Sequence, residues 1–327
     1  MMKNTSKPKW CRRKEYCLLF IALGLFSFML PACTKPGQAL QKIQEINVPG
    51  AAHASTRTAS VETEVPEIVA TPLTTGEMEK AGDISFGRGK LYRAFMQYEK
   101  CLAEDPENLR ILYKKGLVLL AGGRYEDAIE TFEQLRKKDP GHARACEGIG
   151  RAFFHMNDHD RAEEYLQEAL KLDQDLWESH NFMGIINNYR GKYVSAASYF
   201  LAAIARRQAE GALYNNLGVS YALSGAYDRA AEAFRSAIRK NYSTARVYNN
   251  LGMVLAKKGQ FEEALESFKN GGTESQAYNN LGCIYFDEEK FDQSILCFEK
   301  AIKLNPETDH IATRNLKKAR IAFEKIR

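Results

Sequence analysis

The stretch Tyr214–Gly218, with the sequence YNNLG, occurs again at Tyr248–Gly252 and at Tyr278–Gly282. The glycine that ends each copy belongs to a longer series, whose members are Gly82, Gly116, Gly150, Gly184, Gly218, Gly252 and Gly282. The interval between successive glycines is constant as far as Gly252, and only the last interval is shorter. This constant period indicates that the chain repeats a single structural unit.

Two further positions repeat together with the glycine. A small residue follows each glycine after twelve positions, and a large apolar residue stands four positions beyond it. The small residue allows two antiparallel helices to approach closely, and the large side chain one helical turn later fills the space beside it. The small residues are Ala94, Ala128, Ala162, Ala196, Ala230, Ala264 and Ser294, and the large ones are Tyr98, Phe132, Leu166, Phe200, Phe234, Phe268 and Phe298. Glycines that tolerate a left-handed turn between the two helices are expected at Gly123, Gly191, Gly225 and Gly259.

This pattern resembles the tetratricopeptide repeat (TPR), a helix–turn–helix unit of about 34 residues. The resemblance covers about residues 75–308, as seven units, and implies an all-α TPR solenoid in which neighbouring units share one core. Residues 309–327 are expected to form a capping helix, because their apolar residues share one helical face: Ala312, Leu316, Ala319, Phe323 and Ile326. The sixth unit is shorter than the others, and Gly271 and Gly272 replace the last turn of its second helix, which predicts a local change of pitch.

The N-terminus has the features of a targeting segment. A basic stretch precedes Tyr16–Leu30, whose fifteen apolar or small residues suit a signal peptide better than a membrane span of about 20 residues. The sequence Leu30-Pro31-Ala32-Cys33 then resembles the lipobox of bacterial lipoproteins. This resemblance implies cleavage after residue 32 and acyl chains such as palmitate on Cys33. The alternative is that the segment is an uncleaved anchor and that the cysteine is incidental. Thr34, in place of an inner-membrane retention aspartate, implies the outer membrane facing the periplasm, and residues 33–74 are expected to be a flexible tether.

Charge and residue content exclude several functions. Residues 1–32 hold six basic residues and one acidic residue, so the remaining chain has equal numbers of both and offers no basic surface for nucleic acid. His155 and His159 lack the pattern of a zinc-protease helix, and no catalytic group, metal site or cofactor motif is recognisable. The sequence therefore predicts a protein that is not an enzyme. Cys283 and Cys297, in one predicted helical hairpin, are the only cysteine pair that merits a test.

The doubled asparagines are the candidate binding residues. In a TPR array the first helices of the units line a concave groove, and an amide side chain can both donate to and accept from a peptide backbone. The arrangement resembles the asparagine ladder of O-linked N-acetylglucosamine transferase, although only the groove is shared. The candidate groove residues are Asn181, Asn215, Asn216, Asn249, Asn250, Asn279 and Asn280. The alternative is that these asparagines make hydrogen bonds only within the array.

Together, these features predict a membrane-anchored TPR scaffold whose groove holds an extended segment of another envelope protein. The architecture resembles type IV pilus pilotins and the TPR lipoproteins of tight-adherence (Tad) pilus and secretion systems, which implies a role in pilus or secretion-system assembly. An adaptor for cell-wall hydrolases or for outer-membrane assembly is a second interpretation. A non-catalytic subunit of an enzyme that processes glycans or polysaccharides is the third.

Overall fold

A computed structural model of the chain describes residues 73–306 and 310–326. Within these residues the chain forms fifteen α-helices and no strands, so the expected all-helical TPR solenoid is confirmed. The helices are α1 (Thr75–Gly87), α2 (Leu91–Glu104), α3 (Leu109–Ala121), α4 (Tyr125–Lys138), α5 (Ala143–His155), α6 (His159–Leu172), α7 (Trp177–Tyr189), α8 (Tyr193–Arg206), α9 (Gly211–Leu223), α10 (Tyr227–Arg239), α11 (Ala245–Lys257), α12 (Phe261–Gly271), α13 (Glu274–Asp287), α14 (Phe291–Leu304) and α15 (His310–Glu324).

The N-terminal features predicted from the sequence lie outside the described residues. These features are the signal peptide, Cys33 and the tether up to residue 72. Of the helices that are described, none is both long enough and apolar enough to cross a bilayer.

The turn between the two helices of each repeat has the predicted left-handed backbone. Gly123, Gly191, Gly225 and Gly259 have φ angles between +71° and +80°. The equivalent residues in the third and seventh repeats are not glycine, but Asn157 and Glu289 have the same conformation, with φ angles of 62° and 60°. The path of the chain therefore requires this conformation at one fixed place, whichever residue stands there.

The repeated glycine is the point at which the two helices of a hairpin approach each other. A Cβ atom built on Gly218 would lie 2.7 Å from the ring of Phe234, and one built on Gly252 would lie 2.6 Å from the ring of Phe268. Real Cβ atoms do not approach other atoms this closely, so the ring occupies the space that the glycine leaves. The glycine of YNNLG is thus explained by helix packing alone.

Within the described residues the chain forms two compact units, residues 73–186 and residues 187–326. The core of the second unit is built from the repeated alanines and phenylalanines, among them Ala230, Phe234 and Phe268, all of which are buried. Helix α15 packs against α14 and buries Ala312 and Ala319, as expected for a capping helix. Ile326, which was expected on the same packed face, follows the end of the helix and is 66% exposed.

The short sixth repeat closes with only two residues between its last helix and the next one. Helix α12 ends at Gly271, and α13 begins directly after Thr273, whose side chain accepts a hydrogen bond from the backbone N–H of Gln276. The Gln276 side chain accepts in turn from the backbone N–H of Thr273, which completes a capping box. A Cβ atom on Gly271 would lie 2.8 Å from Oδ1 of Asn249, so this glycine lets the end of α12 reach α11.

Candidate functional site: an asparagine-lined helix face

The seven candidate asparagines lie on the first helices of the last four repeats. Asn181, on α7, belongs to the first compact unit, and the six others, on α9, α11 and α13, belong to the second. Asn216 and Asn249 are half-buried, whereas the remaining five are buried: Asn181, Asn215, Asn250, Asn279 and Asn280. Within the second unit, the face that carries these amides is referred to below as the asparagine face.

Several of these asparagines make hydrogen bonds to each other between consecutive repeats. Nδ2 of Asn250 donates to Oδ1 of Asn215, on the preceding repeat, at 3.5 Å. The same link recurs at the end of the array, where Nδ2 of Asn315, on α15, donates to Oδ1 of Asn279 at 3.0 Å. In both cases the acceptor is the first asparagine of a YNNLG copy. Asn215, Asn250 and Asn279 therefore make hydrogen bonds of the kind that a purely structural role requires.

These links leave hydrogen-bonding capacity on the same side chains. An asparagine amide has two N–H donors and an oxygen that can accept twice, and each link uses one donor and one acceptor position. Asn215 also donates from Nδ2 to Oδ1 of Asn216, at 3.4 Å, which couples the buried asparagine to its half-buried neighbour. These hydrogen bonds therefore hold the amides of Asn215, Asn216 and Asn250 in defined orientations.

The asparagine face is flanked by a row of uncharged side chains. Val219, Met253 and Cys283 each follow the second asparagine of a YNNLG copy by three positions, so they lie beside it on the same side of the helix. Val219 is buried, and Met253 and Cys283 are half-buried. Amides beside apolar side chains suit a peptide backbone with small or apolar side chains, because the amides pair with backbone groups and the apolar row is covered.

The first compact unit has different chemistry at the same repeat position. The place of Asn215 is taken there by Glu79, Tyr113, Glu147 and Asn181 in successive repeats. Glu79 forms ion pairs of 2.6 Å with Arg110 and 2.7 Å with Lys114. At this position the first two repeats are linked by ion pairs, whereas the fifth and sixth repeats are linked by a hydrogen bond between amides.

Glu147 is a buried carboxylate that the sequence pattern does not reveal. Its side chain is 3% exposed, and Oε2 accepts from the backbone N–H of Ser179 at 3.1 Å and from its hydroxyl at 2.8 Å. Burial, together with the nearby carboxylate of Glu178, raises the pKa of Glu147 to about 7, although Arg151 acts in the opposite direction. The available signal was its position one full repeat before Asn181, where a side chain that links two repeats is required.

The histidines and cysteines singled out in the sequence are packing residues in the structure. The ring of His155 stacks on that of Tyr125 with 5.3 Å between centroids, and burial lowers its pKa to about 4. His159 packs against Phe154 at 5.3 Å. Cys283 and Cys297 do not form a disulfide. In the part of the chain that is described, no three potential metal ligands come together.

Comparison with protein families identifies the repeat. Models described as "Tetratricopeptide repeat" match residues 85–138, 113–176, 189–241, 224–270 and 275–308, which together make up more than half of the chain.

Curated relatives match shorter segments. TPR repeat-containing thioredoxin TTL4 of Arabidopsis thaliana is 26% identical over 90 residues, which are 28% of this chain and 13% of that protein. Type IV pilus assembly protein PilF of Pseudomonas aeruginosa is 27% identical over 106 residues, which are 32% of this chain and 42% of that protein. The chain thus spans less than half the length of either relative.

Solved structures share the fold. The APC/C hetero-tetramer Cut9–Hcn1 is similar to this chain with a TM-score of 0.52 and 20% sequence identity, over 75% of this chain and 48% of that one. At this level of identity the similarity concerns the arrangement of the helices alone. The repeated glycine, alanine and aromatic residues, the helical hairpins that they build, and the family matches all agree. The chain belongs to the tetratricopeptide repeat family.

Proposed function

We propose that the protein is a non-enzymatic scaffold of the bacterial envelope, and that its asparagine face holds an extended segment of another envelope protein. TPR arrays are protein-binding scaffolds, and this chain is a TPR array. In the proposal, Cys33 carries the lipid anchor, and the array faces the periplasm from the outer membrane.

The observation that carries the proposal is the composition of the asparagine face. In three successive repeats, two amides stand beside one uncharged side chain: Val219, Met253 or Cys283. An extended peptide presents a backbone N–H and C=O at each residue, so oriented amides can pair with it whatever its sequence. Asn216 and Asn249 are the members most open to a ligand, because they are half-buried whereas their neighbours are buried.

The proposed assembly is a pilus or a related secretion system. Supporting this choice, PilF is similar to about a third of the chain, and its printed description is that of a type IV pilus assembly protein. The lipobox-like sequence that ends at Cys33 is consistent with the same setting, since it would place the array at a membrane where such machines are built.

Site-specific photocrosslinking tests the groove. A photoreactive amino acid at Met253, on the asparagine face, is expected to crosslink one envelope protein in cells. The same amino acid at Lys137, on the exposed side of α4, serves as the position control. Replacement of both Asn216 and Asn249 by alanine removes two backbone pairings worth about 0.5–1.5 kcal/mol each, so affinity should fall about five-fold to a hundred-fold.

A matched variant separates binding from folding. Asn270→Ala removes an exposed asparagine of α12 whose Nδ2 donates only to the backbone oxygen of Glu266 among the described residues, and it should leave the crosslink unchanged. Circular dichroism checks that every variant keeps its helices. A double variant that remains folded and still crosslinks at the wild-type level would rule out the asparagine face as the binding site.

A further inference from the structure

The last helix, α15, has an unusual balance of charge. It holds four basic residues and one acidic residue, whereas the chain from residue 33 onward has equal numbers of both. Arg314, Lys317 and Lys318 are all exposed, and together with Ile321 they are referred to below as the basic stripe.

The basic stripe lies on the side of α15 opposite to its packed side. Positions 317, 318 and 321 follow position 314 by three, four and seven, so the four residues form one continuous row along the helix. The buried residues Ala312 and Ala319 face the other way, toward the preceding hairpin. Ile321, at the C-terminal end of the stripe, is 44% exposed, so the row ends in an apolar side chain that the described residues leave uncovered.

The charges of the stripe are not balanced by the described part of the protein. Arg320, at the edge of α15, forms an ion pair of 2.7 Å with Glu299 of α14. Arg314, Lys317 and Lys318, by contrast, make no ion pair with any carboxylate in residues 73–306 or 310–326. Three cations in one row, without an ion pair among the described residues, attract an anionic partner, since each like charge raises the local potential.

We propose that the basic stripe docks an acidic α-helical segment of a protein partner. A helix fits the row because ridges at three- and four-residue spacing pack into the grooves of another helix. Carboxylates at the same spacing on the partner would meet Arg314, Lys317 and Lys318, and one apolar partner residue would cover Ile321. Such a contact combines charge complementarity, which gives specificity, with a small apolar contact.

The packing of α15 favours a protein over a lipid surface. A helix that lies in a membrane interface inserts an apolar face into the headgroup region. On the packed side of α15, Ala312 and Ala319 are buried and Leu316 and Phe323 are half-buried, so the stripe offers only charge and one isoleucine on the outside. The stripe is also separate from the asparagine face, because Asn315, the residue of α15 that reaches Asn279, lies on the packed side.

Titration of the full chain with synthetic peptides tests the proposal. The probe is a labelled helical peptide with glutamates at i, i+3 and i+4 and a leucine at i+7, and its control has the same residues in scrambled order. Fluorescence anisotropy should show binding of the patterned peptide that weakens as salt is raised. Charge reversal at Arg314→Glu, Lys317→Glu and Lys318→Glu together should reduce the affinity by about ten-fold or more.

Three comparisons decide the outcome. Reversal of three exposed lysines on other helices, Lys100→Glu, Lys137→Glu and Lys171→Glu, changes the total charge equally and should leave peptide binding nearly intact. Equal losses in both triple variants, or equal binding of the scrambled peptide, would show non-specific attraction and overturn the proposal. Binding to phosphatidylglycerol vesicles without binding to the patterned peptide would overturn it as well, in favour of a membrane contact.

Discussion

At the scale of single residues, the turn of each repeat requires a left-handed backbone conformation, and Asn157 and Glu289 adopt it without being glycine. A left-handed backbone conformation costs an ordinary L-residue roughly 1–2 kcal/mol, because its Cβ atom approaches the following carbonyl oxygen. Glycine avoids this cost, and asparagine tolerates the conformation better than most residues do. Glu289, with a φ angle of 60°, has neither advantage.

Replacement of Glu289 by glycine is therefore expected to stabilise the protein. The free energy of unfolding should rise by about 0.5–1 kcal/mol, since relief of the strained backbone exceeds the extra flexibility of glycine in the unfolded chain. Asn157→Gly is the matched control at the equivalent turn, and it should change stability by only a few tenths of a kcal/mol. Urea denaturation measures both, and a destabilised Glu289→Gly variant would contradict the interpretation of strain at this turn.

Glu147 gives the protein a dependence on pH whose direction differs from that of an ordinary surface carboxylate. Because its pKa is raised in the folded state from 4.5 to about 7, the fold favours the protonated acid. This contribution to stability is fully present below pH 4.5 and is lost as the pH rises through 7. Glu147→Gln keeps an oxygen that can accept from Ser179 but has no charge to bury.

The Glu147→Gln variant should thus be more stable than the wild type at pH 8, by up to about 3 kcal/mol. At pH 4.5 the two proteins should be nearly equal. Chemical denaturation at both pH values measures the difference, and Glu178→Gln reports how much of the effect comes from the neighbouring carboxylate. If the variant and the wild type had the same free energy of unfolding at every pH, Glu147 would have to be charged in the folded protein at neutral pH.

At the scale of the helical hairpin, stability depends on the match between one glycine and one ring. Gly252 lies against the ring of Phe268, and no side chain fits between the helix backbone of α11 and that ring. A Gly252→Ala variant must displace the ring, so overpacking should reduce the free energy of unfolding by about 1–3 kcal/mol. Gly76→Ala is the matched control, because no atom lies within 4 Å of its Cβ position, and it should be neutral or slightly stabilising.

A double-mutant cycle tests whether the ring is the cause. Phe268→Leu alone should destabilise the protein, since it removes a buried ring. In the Gly252→Ala background the same change should cost less, because the smaller side chain gives the new methyl group room. The measured coupling should therefore differ from zero by at least about 0.5 kcal/mol. Strictly additive effects would mean that Gly252 is required for another reason.

The hairpins could be predicted from the sequence because each depends on residue size at a fixed spacing. Glycine, a small residue and a large apolar residue differ greatly in volume, so their recurrence once in every repeat determines which helices meet and where. The hydrogen bonds between repeats could not be predicted in this way. Whether Asn250 turns toward Asn215 or toward a ligand depends on side-chain torsions and burial, which spacing alone does not contain.

Glu147 is a second residue whose contact with the next repeat could not be predicted from the sequence. A glutamate between a cysteine and a glycine on an amphipathic helix has the sequence features of a surface residue, and helix periodicity places it only on a face. Its burial depends on the next first helix, where the backbone N–H and the hydroxyl of Ser179 both donate to the carboxylate. A hydrogen-bond partner on another repeat is visible only after the helices are packed.

At the scale of the whole molecule, the distribution of charge separates the N-terminus from the repeats. The net charge of +5 equals the excess carried by residues 1–32, so the rest of the chain is neutral overall. If the proposed cleavage occurs before Cys33, the mature protein loses all of this excess. Attachment would then depend on acyl chains, each buried CH₂ of which contributes about 0.8 kcal/mol, rather than on charge.

Cys33→Ala tests this attachment. The variant should incorporate no labelled palmitate, remain unprocessed by the lipoprotein signal peptidase, and migrate as the longer precursor. Cys101→Ala is the matched control, because this buried cysteine of α2 lies in the folded array and should have no effect on lipid labelling. A Cys33→Ala protein that is labelled and matured like the wild type would contradict the assignment of the anchor.

The contact between the repeated glycine and the ring of the second helix also constrains how the number of repeats can change during evolution. Standard repeats carry the glycine, the small residue and the large apolar residue at the same places, so duplication or loss of one repeat, for example residues 116–149, keeps these contacts in register. Recombination within the shortened sixth repeat would instead join a second helix that ends at Gly271 to a following repeat that packs against a full last turn. Copy number is therefore freest to vary upstream of that joint, and the sixth and seventh repeats should be inherited as a block.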